Sequence, residues 1–275
     1  MEFDPGLAAL RPLGGFFVLR TSPRPPHRPL PTLAHACRAL PAHGPADDLG
    51  DGLAHNQDPL AHRVRKVAVA LRAPEPRTAA SVAHQGLAAR LWSVTLGCAV
   101  LYGRVPDRDP GLLHWDPDAT APDDLWLAEA RPRPGDAATV ADVVLDTHLV
   151  PLTAAVRGRY RLAAGLLWGN AASALAGAAR ELDRWARRHG RTAAAARARS
   201  LTTGLLAHPL LAGTGTLTDT AFRRRSCCLY YRVPGGGVCG DCCFSRPPGT
   251  PRPPDAPPPH GSRRPPRSSP DAPSE

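Results

Sequence analysis

The chain has 275 residues and a formal net charge of +10 at pH 7, and Lys66 is the single lysine among its 34 basic residues. This length suffices for one large domain or for two small ones. No helix-turn-helix, RNA-binding aromatic motif or basic recognition helix accompanies the charge. We therefore interpret most of the arginines as a solvated surface and expect no nucleic-acid partner.

Residues 1–77 are predicted to form an irregular N-terminal segment with one short strand. That strand is expected at residues 16–20, after a short helix. Residues 22–60 are rich in Pro, His, Asp and Gly and have little periodicity, so we predict irregular chain there. Residues 64–72 fit either a strand or a helix. The segment also contains three residues that we interpret as exposed loop positions rather than as a metal site: His35, Cys37 and His43.

Residues 78–221 are predicted to form a helical core that includes a small β-hairpin. From residue 78 onward, apolar residues recur at spacings of three and four as far as Cys98, which predicts a long helix. Cys98 is interpreted as a small core residue and His84 as a buried histidine rather than a ligand. The strands of the hairpin are expected at residues 112–115 and 124–129.

A second helical stretch is predicted to open at Asp136, with Pro151 marking either a new start or a kink. Residues 162–179 then contain no charged side chain, a length that just reaches the threshold for crossing a membrane. Ala, Gly, Ser and Asn dominate this stretch and a charged continuation extends its periodicity. We therefore predict no transmembrane segment, but a buried helix over residues 166–187 that is the longest in the chain.

The face of that helix carrying Leu167, Ala171 and Leu175 is expected to be buried. A further helix is predicted over residues 191–208. The resulting fold class is mainly α with a small antiparallel β component (α+β). Residues 245–275 hold 12 of the 33 prolines and no large apolar residue, so we predict a disordered tail rich in Pro and Arg.

Five of the seven cysteines lie between positions 227 and 243. Cys227 and Cys228 are adjacent, ten residues separate them from Cys239, and two more separate Cys239 from Cys242, with Cys243 directly after it. The spacer LYYRVPGGGV contains one proline and three glycines, which allow the chain to turn back on itself. Four thiolates at two points of one short segment indicate a site for a soft metal.

Zinc and a [2Fe–2S] cluster are the two inorganic alternatives for this site. Zinc is normally held by cysteine pairs spaced by two to four residues, which Cys239 and Cys242 satisfy and the adjacent Cys227 and Cys228 do not. A two-iron cluster tolerates a wider arrangement of sulfurs. A disulfide framework is disfavoured because seven is an odd number and no signal-peptide pattern follows Met1. We therefore expect a cytoplasmic location.

The pattern C-C-x10-C-x2-C is similar to the C-terminal signature of FhuF-like siderophore-iron reductases, which carry an atypical [2Fe–2S] cluster. The flanking sequence RRRSCCLYYRVPGGGVCGDC resembles the actinobacterial branch of that family, as do residues 86–107 and 166–184. The resemblance implies that residues 222–244 are the cluster motif. It further implies four ligands: Cys227, Cys228, Cys239 and Cys242. Cys243 stands where the family has an apolar residue, and it serves either as a spare thiol or as a substitute for Cys242.

The resemblance also implies an activity, the one-electron reduction of ferric iron held by a siderophore of the hydroxamate class. Four arginines are expected to raise the cluster potential and to dock an acidic donor of the ferredoxin or flavodoxin type: Arg223, Arg224, Arg225 and Arg232. Four glycines are expected to offer N–H groups to the sulfurs: Gly235, Gly236, Gly237 and Gly240. Asn170 is interpreted as a buried, satisfied amide. The protein is expected to work near a membrane importer without spanning the membrane.

Three other functions remain open at this point. A zinc-stapled interaction protein would carry out no redox chemistry. A general [2Fe–2S] electron carrier would use the same ligands without acting on siderophores. A condensing enzyme is disfavoured because no glycine-rich loop that could hold ATP phosphates is present.

Overall fold

The computed structural model describes residues 7, 9–21, 29–38 and 58–248 of the chain. The fold is mainly helical, with three two-stranded antiparallel sheets, which confirms the predicted α+β class. The helices are α1 (Leu33–Cys37), α2 (Pro59–Leu71), α3 (Pro76–Tyr102), α4 (Ala137–Ala141), α5 (Val150–Tyr160), α6 (Ala164–Arg188) and α7 (Thr192–Leu206). The strands are β1 (Arg104–Asp107), β2 (Leu113–Trp115), β3 (Leu125–Leu127), β4 (Arg131–Pro134), β5 (Gly215–Thr218) and β6 (Ala221–Arg224).

Helices α3 and α6 pack against each other at the centre of the core. The predicted face of α6, with Leu167, Ala171 and Leu175, is completely buried. Helix α3 is buried along most of its length, and the side chains of Cys98 and His84 on this helix are buried as predicted. The prediction that α6 would be the longest helix was wrong, because α3 has 27 residues and α6 has 25.

Local sequence explains where α3 begins and ends. Pro76 occupies its first turn, where a missing N–H costs no hydrogen bond, and Gly103 ends the helix with φ of 67°. A residue with a Cβ would be strained in that left-handed conformation, which is why glycine commonly ends a helix. The structure thus extends the predicted helix by one turn at each end at most.

The helical stretch from Asp136 continues through Pro151. Asp136 caps α4 by accepting a hydrogen bond from the Thr139 N–H at 3.0 Å. A wider π-helical segment, Asp142–Leu149, connects α4 to α5, and Pro151 lies in the first turn of α5. The proline therefore sits where its missing N–H is tolerated, and the wider turn absorbs the change in hydrogen bonding.

One helix of the described chain, Ala137–Tyr160, is long and apolar enough to cross a membrane by length and composition. Its most apolar window is 56% buried inside the protein. A core helix passes the same test, so this helix is weak evidence for a membrane span.

The N-terminal segment differs from its prediction in three respects. His35 and Cys37, predicted to be exposed loop positions, lie on helix α1 and are partly buried, because this helix packs against the core. Residues 16–20 do not form a strand: Gly15–Phe17 is a 3-10 turn, and Arg20 only bridges Trp126. The reason is tertiary, since the buried Arg90 guanidinium binds three carbonyls of this segment and the carboxylate of Asp124. Helix α2 also occupies residues predicted to be irregular or ambiguous, while His43 lies outside the described residues.

The predicted β-hairpin is present as β2 and β3, which pair antiparallel with Trp115 opposite Leu125. Two further pairs were not predicted, β1 with β4 and β5 with β6. The second of these pairs leads directly into the cysteines. Apart from residues 245–248, the tail predicted to be disordered lies outside the described residues.

Candidate metal centre

Strand β6 positions the cysteine-rich segment, which we define as residues 224–244, against the helical core. Asp219 adopts a left-handed conformation with φ of 53° between β5 and β6. At the end of β6, the Arg224 N–H donates to the Asp241 carbonyl at 2.9 Å. This hydrogen bond folds the second group of cysteines back beside the strand that carries the first.

Two tight turns reverse the chain between the two groups of cysteines. Leu229 has a φ of 69° and leads into the 3-10 turn Tyr230–Arg232, and Gly235 has a φ of 71°. The Gly236 N–H donates to the Val233 carbonyl at 2.7 Å. The glycines of the spacer therefore serve the turn, and the expected donation to sulfur falls to other residues.

The Sγ atoms of Cys228 and Cys239 lie 3.5 Å apart, so the adjacent pair and the CxxC pair meet in space. Cys228 is buried, whereas Cys227, Cys239 and Cys242 are partly exposed. None of the seven cysteines forms a disulfide. Within the described ranges, no three His, Cys, Asp or Glu side chains stand around a point where a single metal ion would sit.

Backbone N–H groups donate to the sulfurs of two of the four predicted ligands, in each case from the residue two positions later. The Leu229 N–H donates to Cys227 at 3.3 Å and the Phe244 N–H donates to Cys242 at 3.4 Å. Backbone hydrogen bonding from Tyr230 helps to lower the pKa of Cys228, and that from Asp241 partly opposes the raised pKa of Cys239. The side chain of Cys243 is hydrogen-bonded to Cys242, and burial is the main cause that raises its pKa.

The pair Cys228 and Cys239 shares one proton. The hydrogen bond with Cys239 lowers the pKa of Cys228 to about 6, against the cost of burial, while the same bond raises the pKa of Cys239. Burial raises the pKa of Cys227 to about 11, and the neighbouring thiols add to that shift. Binding a metal would displace the protons that these thiols retain.

Asp241 fastens the CxxC turn to helix α6. Its carboxylate accepts a hydrogen bond from the Ser173 hydroxyl at 2.6 Å and lies 3.2 Å from the Arg180 guanidinium. Its side chain is almost completely buried. The sequence prediction overlooked the roles of all three residues. The signal was the acidic residue of the Cys-Gly-Asp-Cys turn, because a carboxylate that is buried near thiolates needs a hydrogen-bond or charge partner.

Arg224 fastens the first pair of cysteines to the core. It is 2% exposed, and its guanidinium donates to the Gln85 side chain, the Leu166 carbonyl and the Asn170 side-chain oxygen. Asn170 in turn donates to Ser81, whose hydroxyl binds the Cys228 carbonyl at 2.8 Å. Asn170 is therefore the buried, satisfied amide that was predicted.

The four predicted arginines occupy different environments. Arg223 and Arg225 are exposed, and Arg223 donates to the Cys243 carbonyl at 3.2 Å. Arg232 is exposed and pairs with Glu75, which offsets its charge. Only Arg224 is buried, and in the part of the chain that the structure describes it pairs with no carboxylate.

The two remaining cysteines lie elsewhere. Cys98 is completely buried in α3, and burial raises its pKa to about 12. Cys37 ends the short helix α1, and burial likewise raises its pKa to about 12. Neither thiol is available as an ionised ligand at neutral pH.

Comparison with family models gives a match to the FhuF 2Fe-2S C-terminal domain over residues 224–244. The cysteine-rich segment is thus similar to an FhuF [2Fe–2S] domain, and we call it the FhuF-type domain. This finding supports the FhuF-like resemblance inferred from the cysteine spacing, and it rests on that segment alone. Comparison with curated proteins and with solved structures found no match to the chain.

The donor set of the FhuF-type domain fits a [2Fe–2S] cluster. Thiolates are the usual ligands of such clusters, and N–H donors to sulfur are among the features that set their potential. Here two of the four predicted ligands have such a donor, and a buried positive charge lies on the strand that leads to them. The assignment to iron thus has structural support beyond the spacing of the cysteines.

Proposed function

We propose that this protein is a siderophore-iron reductase, in which one [2Fe–2S] cluster is held by Cys227, Cys228, Cys239 and Cys242. The observation that carries the proposal is the match of residues 224–244 to an FhuF 2Fe-2S domain, supported by the meeting of Cys228 and Cys239, whose sulfurs lie 3.5 Å apart. Cys243 lies one position beyond the last cysteine of the C-C-x10-C-x2-C pattern, and we assign it as a spare thiol.

The bound cluster would supply the chemistry of single-electron transfer. Trivalent iron is bound strongly by anionic oxygen ligands, whereas divalent iron has less charge and is bound far more weakly. Reduction of the ferric chelate by one electron therefore releases the metal as ferrous iron. Hydroxamate siderophores are the class that the family resemblance implies.

The residues around the cysteines would set how readily the protein accepts an electron. Arg224 holds a positive charge in place through neutral hydrogen-bond acceptors, and a positive charge favours the more negative, reduced form. The N–H groups of Leu229 and Phe244 act in the same direction. Ser81 and Asn170 fix the position of Arg224 relative to Cys228.

Arg223 and Arg225 are exposed beside the cysteines and would dock an acidic electron donor, such as a ferredoxin or a flavodoxin. Arg232 contributes less because Glu75 offsets its charge. The free state of all seven cysteines agrees with a cytoplasmic location, where thiols stay reduced. In this location the protein would meet siderophores delivered by a membrane importer.

Anaerobic purification followed by a visible spectrum and iron and sulfide counts tests the cofactor. We expect a coloured protein with two irons and two sulfides, and we expect Cys239→Ser and Cys242→Ser to lose the colour. Cys243→Ser and Cys98→Ser are the matched controls and should retain it. If the purified protein is colourless and contains zinc, the reductase proposal is wrong and the protein is a zinc-stapled interaction protein.

Stopped-flow mixing of the reduced protein with ferric siderophores tests the activity. We expect rapid reoxidation, with ferrous iron appearing in a ferrous-specific chelator. A reduced protein that no ferric siderophore reoxidises, but that another redox protein does, would instead be a general electron carrier.

A further inference from the structure

An open cleft of about 520 Å³ lies directly beside the cysteine-rich segment. One part of its wall is the turn from Cys239 to Asp241, and another is the N-terminal stretch from Leu13 to Phe17. Its remaining lining comes from α3 and α6. A predicted ligand of the cluster is therefore part of the surface that any molecule in the cleft would touch.

The helices contribute mostly small side chains to this cleft, which leaves space for a ligand. On α6 these include Ser173 and Gly177, and on α3 they include Ala89 and Ser93. A Cβ added to Gly177 would meet nothing closer than the Arg180 guanidinium at 4.0 Å. The absence of a side chain at this position is thus not required for packing.

The charges around the cleft do not favour a strongly anionic ligand. Three charged side chains line it, Arg180, Glu181 and Asp241. Asp241 pairs with Arg180 at 3.2 Å and Glu181 pairs with Arg184 at 3.1 Å, so the cleft has no excess of positive charge. Phe16 provides an exposed apolar surface at the same cleft. A ligand with little net charge and some apolar surface suits this combination.

We propose that this cleft is the docking site of the ferric chelate, which rests on the reductase function proposed above. Its volume lies within the usual range of small-molecule sites. A smaller cleft of about 280 Å³, also lined by Arg180, contains no cysteine in its lining. Contact with Cys239 therefore distinguishes the larger cleft as the place where an acceptor would be close to the electron.

The chemistry of the acceptor determines which chelates the cleft should take. Three hydroxamate groups neutralise ferric iron, so the chelate core is uncharged, whereas three catecholate groups leave a core charge of minus three. Because each charged side chain of the cleft is ion-paired, the cleft offers no electrostatic attraction to the second kind, and the first kind needs none. In the reaction, one electron passes from the reduced protein to the ferric ion. The products are the oxidised protein and ferrous iron, and no bond to the protein forms or breaks.

Filling the cleft with a side chain tests the docking site. The variant Gly177→Leu places a side chain in the open space, and leucine is the better helix residue, so the fold is retained. Gly158→Leu is the matched control, because Gly158 is an exposed helical glycine with no atom within 4 Å of an added Cβ. Neither position touches a cysteine of the FhuF-type domain.

Binding is measured separately from electron transfer with the gallium(III) complex of a tris-hydroxamate siderophore, which has the shape of the ferric complex but is not reduced. We expect Gly177→Leu to bind it roughly tenfold more weakly than the wild type, and Gly158→Leu to match the wild type. Iron content and visible spectrum should be the same in all three proteins. The rate of reoxidation by subsaturating ferric chelate should fall in parallel with binding.

A charge variant provides an independent check. Glu181→Lys should strengthen binding of a gallium(III) tris-catecholate and leave the tris-hydroxamate nearly unchanged, because only the former carries net charge. If Gly177→Leu binds and reduces the tris-hydroxamate as well as the wild type does, the chelate docks elsewhere. The proposed docking site is then wrong, while the proposed reductase function stands. If the wild type neither binds nor reduces any chelate, the reductase function itself has failed.

Discussion

The three consecutive glycines of the spacer provide a sharp test of the turn that brings the cysteines together. A Cβ at Gly236 would lie 2.6 Å from the Tyr230 carbonyl oxygen and 2.8 Å from the Val233 carbonyl oxygen. At Gly235 and Gly237 an added Cβ meets no atom within 4 Å, but Gly235 has a φ of 71°. Alanine at the three positions should therefore have three different effects.

For Gly236→Ala, the Tyr230 carbonyl must move by about 0.8 Å to reach an ordinary contact of 3.4 Å. Crowding of this kind costs about 1–3 kcal/mol. The displaced peptide adjoins Tyr230, whose N–H stabilises the Cys228 thiolate, so cluster binding should weaken as well. Gly235→Ala should cost about 1–2 kcal/mol for its left-handed φ. Gly237→Ala should be neutral or stabilising by about 0.4–1 kcal/mol.

The assay is the half-life of the visible absorbance under an iron chelator, together with iron per protein after reconstitution. We expect the order Gly237→Ala, Gly235→Ala, Gly236→Ala from most to least stable. The far-ultraviolet circular dichroism spectrum of the folded protein is the internal control, and it should be alike in all three because the helical core remains folded. If Gly236→Ala retains its iron as well as Gly237→Ala does, the close approach between Gly236 and Tyr230 does not hold the cysteines in place.

Two further predictions concern buried charges. Arg224→Gln should lower the reduction potential, measured by redox titration, more than Arg223→Ala or Arg225→Ala does. It should also destabilise the fold by about 1–3 kcal/mol, measured by urea unfolding, because acceptors such as Asn170 lose their donor. Equal potentials in all three variants would contradict the role of Arg224. Burial, aided by the charge of Arg224, lowers the pKa of His84 to about 3. The unfolded chain therefore binds a proton below pH 6.5 that the folded protein does not, and stability should fall by about 2 kcal/mol between pH 7 and pH 5. In His84→Gln, whose amide can still bond to Thr153, this part of the loss should disappear, and identical pH profiles would refute the assignment.

The sequence predicted those elements whose pattern is repeated many times. Helix α3 and helix α6 each show the helical spacing over several turns, and the hairpin of β2 and β3 has alternating apolar residues. The pairs β1–β4 and β5–β6 were missed because their sequences lack alternating large apolar residues: β1 and β4 contain prolines and arginines, and β5 and β6 have one large apolar residue each. The strand expected at residues 16–20 was wrong because Arg90, far away in the sequence, binds the carbonyls of that segment.

The candidate site divides in the same way. The cysteines were visible in the sequence because their spacing is a local property, whereas their anchors depend on contacts between distant residues. Ser173 and Asp241 are 68 positions apart, and Arg224 and Gln85 are 139 positions apart. No local pattern distinguishes the buried Arg224 from its exposed neighbours Arg223 and Arg225. That difference follows from the alternation of β6, which turns every second side chain toward α6.

The position of the four proposed ligands on one short segment has a consequence for how the protein matures. Helices α3 and α6 precede this segment in the chain, and their packing involves no cysteine of the site. During synthesis the helices can therefore associate before the first of those thiols leaves the ribosome. Asp241 and Arg224 then attach the segment to a surface that already exists. Delivery of iron and sulfide becomes a late step at an accessible edge, which a carrier protein could reach without opening the core.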